Sequence, residues 1–94
     1  MNVCFLMYPW QSIKPEDDTS LSLIRECVKR GHGVATTTPA NLTIRDSVTF
    51  AFCKVILRQE KVPPTLKAFH AKAKFRDEML PLAGFDVIIL RSNP

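Results

Sequence analysis

The stretch NVCFLMYPWQSIKPEDDTSLSLIRECVKRGHGVATTTP, residues 2–39, decides the fold. It opens with NVCFLM, whose apolar side chains on both sides of the alternation predict a strand buried on both faces. A helix follows, because Asp18 is a good N-cap and Gly31 is a good left-handed cap at the C-terminus. The segment GVATTTP is rich in β-branched residues and predicts a second strand. We therefore expect two parallel strands joined by a right-handed crossover.

The middle of the chain predicts antiparallel structure. LTIR and VTFAFCKVIL flank Asp46-Ser47 and are typical of a hairpin, and Pro63-Pro64 predicts a loop. After this loop, AFHAKAKFRD alternates between apolar and basic residues, which predicts a half-exposed antiparallel strand. Its apolar face would carry Phe69, Ala71, Ala73 and Phe75, and its basic face would carry His70, Lys72, Lys74 and Arg76.

The end of the chain predicts a return to the parallel sheet. FDVIIL indicates a buried strand, and RSNP, residues 91–94, follows it. Since a domain seldom stops directly after a sheet strand, we expect the chain to be a fragment of a longer protein. Residues 1–94 are predicted to form one α/β domain of Rossmann-like character. It would have a small, mainly parallel sheet, one main helix and an inserted antiparallel hairpin.

Composition restricts the class of protein. The chain has 94 residues, of which 46% are hydrophobic and 23% charged, as is ordinary for a soluble globular protein. No apolar run approaches the ~20 residues that cross a bilayer, and no basic residue precedes the first apolar run as in a signal peptide. The three cysteines are an odd number with no close pair, which argues against a disulfide framework and against a zinc cluster. We interpret Cys4, Cys27 and Cys53 as small buried residues and expect a cytoplasmic protein.

A ligand site is expected at one edge of the sheet. In an open parallel sheet, ligands bind beyond the carboxyl ends of the strands. Tyr8–Asp18 leaves the first strand there, and Arg91–Pro94 leaves the last strand. If these strands are neighbours, the free amides around Thr19 and Ser20 face the same crevice as Arg91, whose planar fork suits a carboxylate.

Simpler roles stay open for several of these residues. Thr19 and Ser20 can equally be ordinary residues of a first helical turn, and Arg91 can be a solvated charge that ends a strand. We interpret Trp10 as a lid over the sheet edge rather than as a platform that stacks on a ligand. We interpret His32 as a residue that satisfies the end of the helix.

The charge distribution suggests an alternative function. The net charge is +4, and the segment from Lys61 to Arg76 contains five Lys or Arg residues and no acid. A stand-alone binding module could use this basic strand face for RNA or an acidic partner. The absence of an aromatic residue on that face argues against RNA, and a solvated edge that discourages strand pairing is the simpler interpretation. The chain contains no glycine-rich phosphate loop, no HExxH motif and no nucleophile elbow.

The two ends of the chain resemble one known family. FLMYPWQSIKPEDDTSLSLIRECVKRGHGV is similar to the opening of bacterial-type glutathione synthetases: an apolar strand, an MDP-like turn, a loop with lysine, and an acid-Thr/Ser-Ser step into a helix that ends in RGH or RGY. LPLAGFDVIILRSNP is similar to the family segment PLADxDVIxxRxDPP. The resemblance covers essentially the whole chain, with a variable hairpin region between the two matches.

The resemblance implies the N-terminal, pre-ATP-grasp domain of an ATP-grasp ligase. In the full-length enzyme, ATP would phosphorylate the carboxylate of γ-glutamylcysteine, glycine would attack the acyl phosphate, and Mg²⁺ would bind the nucleotide phosphates. The ATP and metal sites of the family lie in later domains, so we expect this chain to be inactive alone and to form one wall of the peptide site. Its expected partners are a small peptide or amino-acid substrate and the remaining ATP-grasp domains. Neither a membrane nor a nucleic acid is expected, and homo-oligomer formation is left open.

The family motifs also indicate site residues. The acid-Thr-Ser step and the arginine after the last strand match this sequence, and no catalytic or metal-binding residue is assigned. The candidate substrate-binding residues are Asp18, Thr19, Ser20, Arg91 and Asn93. The sequence departs from the family at Tyr8, where an acid is usual, and at Ser92-Asn93, where Lys-Asp is usual. A related ligase with another amino-acid or peptide substrate therefore stays open.

Overall fold

The structure is a computed structural model that describes residues 1–16 and 18–91. These residues form one sheet of six strands and two α-helices. In chain order they are β1 (Asn2–Leu6), α1 (Thr19–Lys29), β2 (Gly33–Thr37), β3 (Leu42–Arg45), β4 (Val48–Ile56), α2 (Leu66–Lys72), β5 (Phe75–Pro81) and β6 (Val87–Leu90). No helix within the described part of the chain is long and apolar enough to cross a membrane.

Strand β1 lies between β2 and β6 and is parallel to both. Its register runs from Asn2 opposite Gly33 to Leu6 opposite Thr37, and Leu6 also lies opposite Leu90. The predicted parallel pairing of the first two strands is confirmed, and the predicted last strand joins the same group. All three carboxyl ends therefore meet at one edge of the sheet.

Helix α1 forms as the sequence predicts. Its N-cap is Asp18, whose Oδ1 accepts a hydrogen bond from the backbone N–H of Leu21 at 2.7 Å. Leu21 and Ile24 are fully buried against the sheet. The chain leaves the helix through Gly31, whose φ of +84° lies in the left-handed region that glycine adopts without strain.

Strand β4 organises the antiparallel half of the sheet. The predicted hairpin is confirmed, because β3 pairs with β4 through a turn at Asp46 and Ser47, both with positive φ. Lys54 lies opposite Thr36 of β2 and also opposite Asp77 of β5, so β2 and β5 lie on opposite edges of β4.

The sheet is mixed, and the fold is the α/β architecture that the sequence predicts. Two strand pairings are parallel, β1 with β2 and β1 with β6, and three are antiparallel, β2 with β4, β3 with β4 and β4 with β5. The mainly parallel character that we expected is therefore not confirmed. The parallel strands nevertheless form the part of the sheet that carries the candidate site.

The prediction of one continuous strand over residues 68–77 is wrong in its first half. Residues 66–72 form α2, whose N-cap Thr65 accepts a hydrogen bond from the N–H of Ala68 at 3.1 Å. Phe69 is fully buried, whereas Ala71 is exposed, as on a helix. The alternation of small and basic residues imitated the period of a strand, and the N-cap and the core position of Phe69 favour the helix instead.

The basic strand face of the alternative hypothesis is consequently not formed. His70 and Lys72 lie on α2, whereas Arg76 lies on β5 and pairs with Glu78 at 2.9 Å. The basic residues of this segment are therefore divided between two elements.

Strand β6 forms as predicted, but it is not buried. Val87 is 38% exposed, Ile88 40% and Leu90 71%. The strand pairs with β1 along one edge, so it lies at the border of the described sheet. Its apolar sequence indicated complete burial, and its position at the border leaves much of it in contact with solvent.

Each face of the sheet carries an apolar core. The larger core lies under the two helices and contains Val3, Phe5, Met7, Trp10, Ile13, Leu21, Ile24, Val34, Ile56 and Phe69. The smaller core lies on the opposite face and contains Ala35, Ala51 and Cys53, with Leu42, Val55, Leu80, Leu82 and Phe85 around them.

The cysteines are free thiols within the protein. Cys4 and Cys53 are fully buried, and Cys27 is partly buried. A hydrogen bond with Cys53 and burial raise the pKa of the Cys4 thiol far above its usual range. Burial raises the pKa of Cys27 as well, whereas the hydrogen bond with Cys4 lowers the pKa of Cys53. The full burial of Cys4 and Cys53 agrees with the small buried residues that the sequence predicts.

Candidate functional site

The candidate site lies at the carboxyl edge of the three parallel strands. The backbone N–H of Met7 donates to the carbonyl of Thr37 at 2.9 Å, and the N–H of Arg91 donates to the carbonyl of Leu6 at 2.8 Å. These two hydrogen bonds extend the strand pairing by one residue on each side of β1. The loop after β1 and the residue after β6 are therefore held beside each other at the mouth of the sheet.

Ser20 and Arg91 meet at this edge. The Nε of Arg91 donates a hydrogen bond to the Oγ of Ser20 at 2.8 Å, although 71 positions separate the two residues. Ser20 is only 2% exposed, so its hydroxyl is fixed by the first turn of α1. Among the described residues, the terminal nitrogens of the guanidinium group have no hydrogen-bond partner. They are available to an anion at the crevice.

Asp18 contributes to the site through Tyr8. The Tyr8 hydroxyl donates a hydrogen bond to Oδ2 of Asp18, while Oδ1 of Asp18 caps α1 at Leu21. Burial and the hydrogen bond to Asp18 raise the pKa of Tyr8 above its usual value of 10.0. Both carboxylate oxygens are thus engaged within the protein, and Asp18 holds the Tyr8 ring at the crevice. The sequence marked the Tyr8–Asp18 pair only through Tyr8, which stands where the family that the sequence resembles usually has an acid.

The remaining predicted site residues have different positions. Thr19 is exposed at the first position of α1. Asn93 lies outside the described residues, as do Ser92 and Pro94. The structure therefore brings together Ser20 and Arg91, places Asp18 beside them through Tyr8, and leaves Thr19 at the border of the site.

An apolar groove adjoins Arg91. It has a volume of about 640 Å³. Its lining consists of Leu6, Met7, Tyr8, Pro9, Thr38, Pro39, Ala40, Leu90 and Arg91. A cationic fork at one end of an apolar groove is the arrangement that fits a ligand with a carboxylate and a less polar body.

Trp10 and His32 have structural roles. Trp10 is 9% exposed and belongs to the core beneath α2, where its ring stacks on His70 at a centroid distance of 5.0 Å. It therefore supports the site loop from the core rather than lying over the sheet edge as a lid. The backbone N–H of His32 donates to the carbonyl of Cys27 and helps to end α1, as we expected of this residue. Its side-chain Nδ1 lies 3.2 Å from the terminal amine of Met1.

The titratable groups of the described residues do not suit a metal ion. In residues 1–16 and 18–91, no three His, Cys, Asp or Glu side chains lie close enough to hold one ion. The groups at the crevice are instead a guanidinium, a hydroxyl, a phenol and an engaged carboxylate. This set can bind and orient an anionic ligand.

The fold is an α/β domain whose candidate site lies at the carboxyl ends of parallel strands. The family described as prokaryotic glutathione synthetase, N-terminal domain, matches residues 1–94. The chain therefore belongs to this family, as the sequence resemblance predicts.

One curated relative agrees with this assignment. A glutathione synthetase from Nitrosomonas europaea is 27% identical over 94 residues, which are all of this chain and 28% of that protein. The chain thus spans less than a third of the length of this relative.

Proposed function

We propose that this domain forms one wall of the peptide-substrate site in an ATP-dependent carboxylate–amine ligase. The proposed reaction joins γ-glutamylcysteine to glycine, as the name of the family suggests. The role of the domain is to bind and orient the peptide through a carboxylate, and the domain alone is inactive. ATP and Mg²⁺ act in the remaining ATP-grasp domains of the longer protein.

The hydrogen bond between Ser20 and Arg91 carries this proposal. It anchors Nε at 2.8 Å and fixes the plane of the guanidinium, so the two terminal nitrogens can meet both oxygens of a carboxylate. A preorganised fork loses less conformational entropy on binding than a free arginine side chain. The adjoining apolar groove supports the same ligand class, because a peptide carboxylate carries a less polar body behind its charge.

The described residues do not fit the nucleotide and its metal. The sequence has no glycine-rich phosphate loop, and the described residues offer no cluster of metal ligands. We therefore assign no step of phosphoryl transfer to this chain. Its proposed contribution is limited to holding the carboxylate for the reaction that the other domains perform.

Kinetics of the longer protein test the proposal. Replacement of Arg91 by alanine should raise the KM for γ-glutamylcysteine roughly tenfold or more, because the loss of charged hydrogen bonds costs about 1.5–3 kcal/mol. Arg91→Lys should have an intermediate effect, since lysine keeps the charge without the planar fork. Arg45→Ala is the matched control, because Arg45 is exposed on the hairpin away from the crevice.

The expected result is a change in KM for the peptide without a comparable change in the KM for glycine or ATP. Unchanged kinetics in Arg91→Ala would refute the role of Arg91. Product formation by the 94-residue chain alone, in the presence of both substrates, ATP and Mg²⁺, would refute the division of labour between the domains.

A further inference from the structure

A second groove lies on the other side of Tyr8 and Pro9 from the Arg91 groove. Its volume is about 280 Å³. Its lining consists of Tyr8, Pro9, Trp10, Gln11, Thr36, Thr37, Thr38, Asn41, Phe52 and Lys54. We call it the Thr36 groove. Tyr8, Pro9 and Thr38 line both grooves, so the two share a wall.

Thr36 is the unusual residue of this groove. It is only 6% exposed, and its hydroxyl has no hydrogen-bond partner among the residues that the structure describes. The next residue, Thr37, shows the ordinary arrangement, because its hydroxyl donates to the carbonyl of Phe52 at 2.9 Å. The Thr36 hydroxyl is not among the fully buried side-chain atoms that lack a partner, so it is accessible from the groove that Thr36 lines. It can therefore donate to a partner from outside the chain.

Lys54 lines the same groove and carries a positive charge, although its ammonium lies at Asp77 on the β5 side of β4 and not at Thr36 on the β2 side. It lies directly opposite Thr36 in the pairing of β2 with β4. Its ammonium is 3.4 Å from Asp77, and both side chains are about half exposed, at 44% and 55%. A solvent-exposed ion pair of this kind contributes little to stability, so the ammonium can exchange Asp77 for a ligand anion at small cost.

The walls of the groove are mainly apolar. The lining includes Phe52, which is 45% exposed, and Trp10, which is nearly buried. Apolar walls with a few convergent polar groups are the usual composition of a small-molecule site. They also exclude some of the water that would compete for the hydroxyl and the ammonium.

We propose that the Thr36 groove is a second binding subsite, which takes a small carboxylate group. The Thr36 hydroxyl donates to one carboxylate oxygen, and the Lys54 ammonium pairs with the charge. A ligand with two carboxylates would place one at Arg91 and the other in the Thr36 groove. This last extension rests on the proposed function, whereas binding to the Thr36 groove does not.

Nuclear magnetic resonance of the 94-residue chain can test the subsite. Trp10 is the single tryptophan and lines this groove but not the Arg91 groove, so its indole N–H signal is the probe, although that N–H itself donates to the carbonyl of His70 at 3.3 Å. The probes are glutarate, which has two carboxylates, and acetate, which has one. The variants are Thr36→Val and Lys54→Met, which keep the approximate shape of each side chain. Thr43→Val on β3 and Lys74→Met, which lies outside the lining, are the matched controls.

We expect both probes to shift the indole signal of the unaltered chain. Thr36→Val and Lys54→Met should each weaken the glutarate affinity by roughly tenfold, as for a lost charge-assisted hydrogen bond, and the two controls should leave it unchanged. Lys54→Met keeps the test decisive if Thr36→Val perturbs the core, because Lys54 is half exposed. An indole signal that glutarate does not move, or equal affinities in all variants, overturns the subsite.

Arg91→Met separates this inference from the proposed function. If only Arg91→Met weakens glutarate binding, the subsite is refuted while the role of Arg91 stands. If Thr36→Val and Lys54→Met weaken binding and Arg91→Met does not, the subsite stands and the carboxylate role of Arg91 fails. A third outcome is that all three variants weaken glutarate binding, whereas only Thr36→Val and Lys54→Met weaken the acetate binding that the indole signal detects. In that case a single glutarate molecule occupies both grooves.

Discussion

The Nε of Arg91 lies 2.8 Å from the Oγ of Ser20 and joins the end of β6 to the first turn of α1. This contact follows from the register of the parallel strands, since Leu6 lies opposite Leu90 and the chain leaves both strands at the same edge. The loop that begins at Tyr8 then returns to start α1 above that edge. The position of the crevice is thus a consequence of the topology.

Replacement of Ser20 by alanine should weaken carboxylate binding without unfolding the domain. The variant removes the acceptor that fixes Arg91, and a lost hydrogen bond of this kind costs about 1 kcal/mol of stability. Chemical denaturation measures the loss of stability, and the affinity for γ-glutamylcysteine measures the loss of preorganisation. Ser22→Ala is the control, because Ser22 is exposed on the same helix. Equal affinities in the Ser20 and Ser22 variants would contradict a positioning role for Ser20.

The Tyr8 hydroxyl should titrate above pH 10. Tyr8 is the single tyrosine, so the ultraviolet absorbance of tyrosinate reports on it directly. Burial and the acceptor Asp18 both favour the neutral phenol and raise its pKa above 10.0. Because the folded pKa is raised, the stability contributed by Tyr8 is complete below the unfolded pKa. It is lost as the pH rises through the folded value.

Asp18→Asn provides the control for this titration. Asparagine is also a good N-cap, so α1 should persist while the negative charge beside the phenol disappears. The pKa of Tyr8 should then move down towards its usual value, and a residual elevation would report burial. A Tyr8 pKa of about 10 in the unaltered chain would show that the contact with Asp18 is absent in solution.

The sequence predicted those parts of the fold that depend on local signals. Asp18 and Gly31 mark the two ends of α1 through backbone groups within a few residues of each cap. The hairpin at Asp46-Ser47 is likewise a local turn between two β-rich segments. The meeting of Ser20 with Arg91 needed one further assumption, that the first and last strands are neighbours, and the pairing of β1 with β6 satisfies it.

The parts that sequence did not predict depend on distant contacts. Residues 66–72 are helical because Thr65 caps them and because Phe69 packs against Trp10, with ring centroids 6.2 Å apart. No local pattern shows the second contact. The exposure of Leu90 depends on which strands lie beside β6. The sequence did not predict the Thr36 groove for the same reason, since Thr36 and Lys54 become neighbours only when β2 pairs with β4.

Loss of the N-cap should destabilise the domain. Asp18→Ala removes the acceptor for the N–H of Leu21, and the loss of such a cap costs about 0.5–2 kcal/mol. Asp18→Asn should cost less, because its amide oxygen can still accept that hydrogen bond. Urea denaturation monitored by helical circular dichroism gives both values. Equal losses for the two variants would indicate that the charge, and not the cap, is the important property of Asp18.

Two substitutions can distinguish helix α2 from the strand that the sequence predicted for the same residues. In a strand, Phe69 and Ala71 would share one apolar face, whereas in the helix Phe69 is fully buried and Ala71 is exposed. Phe69→Ala should therefore cost about 3–5 kcal/mol through the cavity it leaves, while Ala71→Lys should change stability by less than about 0.5 kcal/mol. Urea denaturation followed by Trp10 fluorescence measures both, with Phe69→Leu as a milder variant if the alanine variant does not fold. Comparable losses of stability in Phe69→Leu and Ala71→Lys would support the strand instead of the helix. In a strand, a lysine at position 71 would lie on the inner face of the sheet and be as costly as a truncated core side chain.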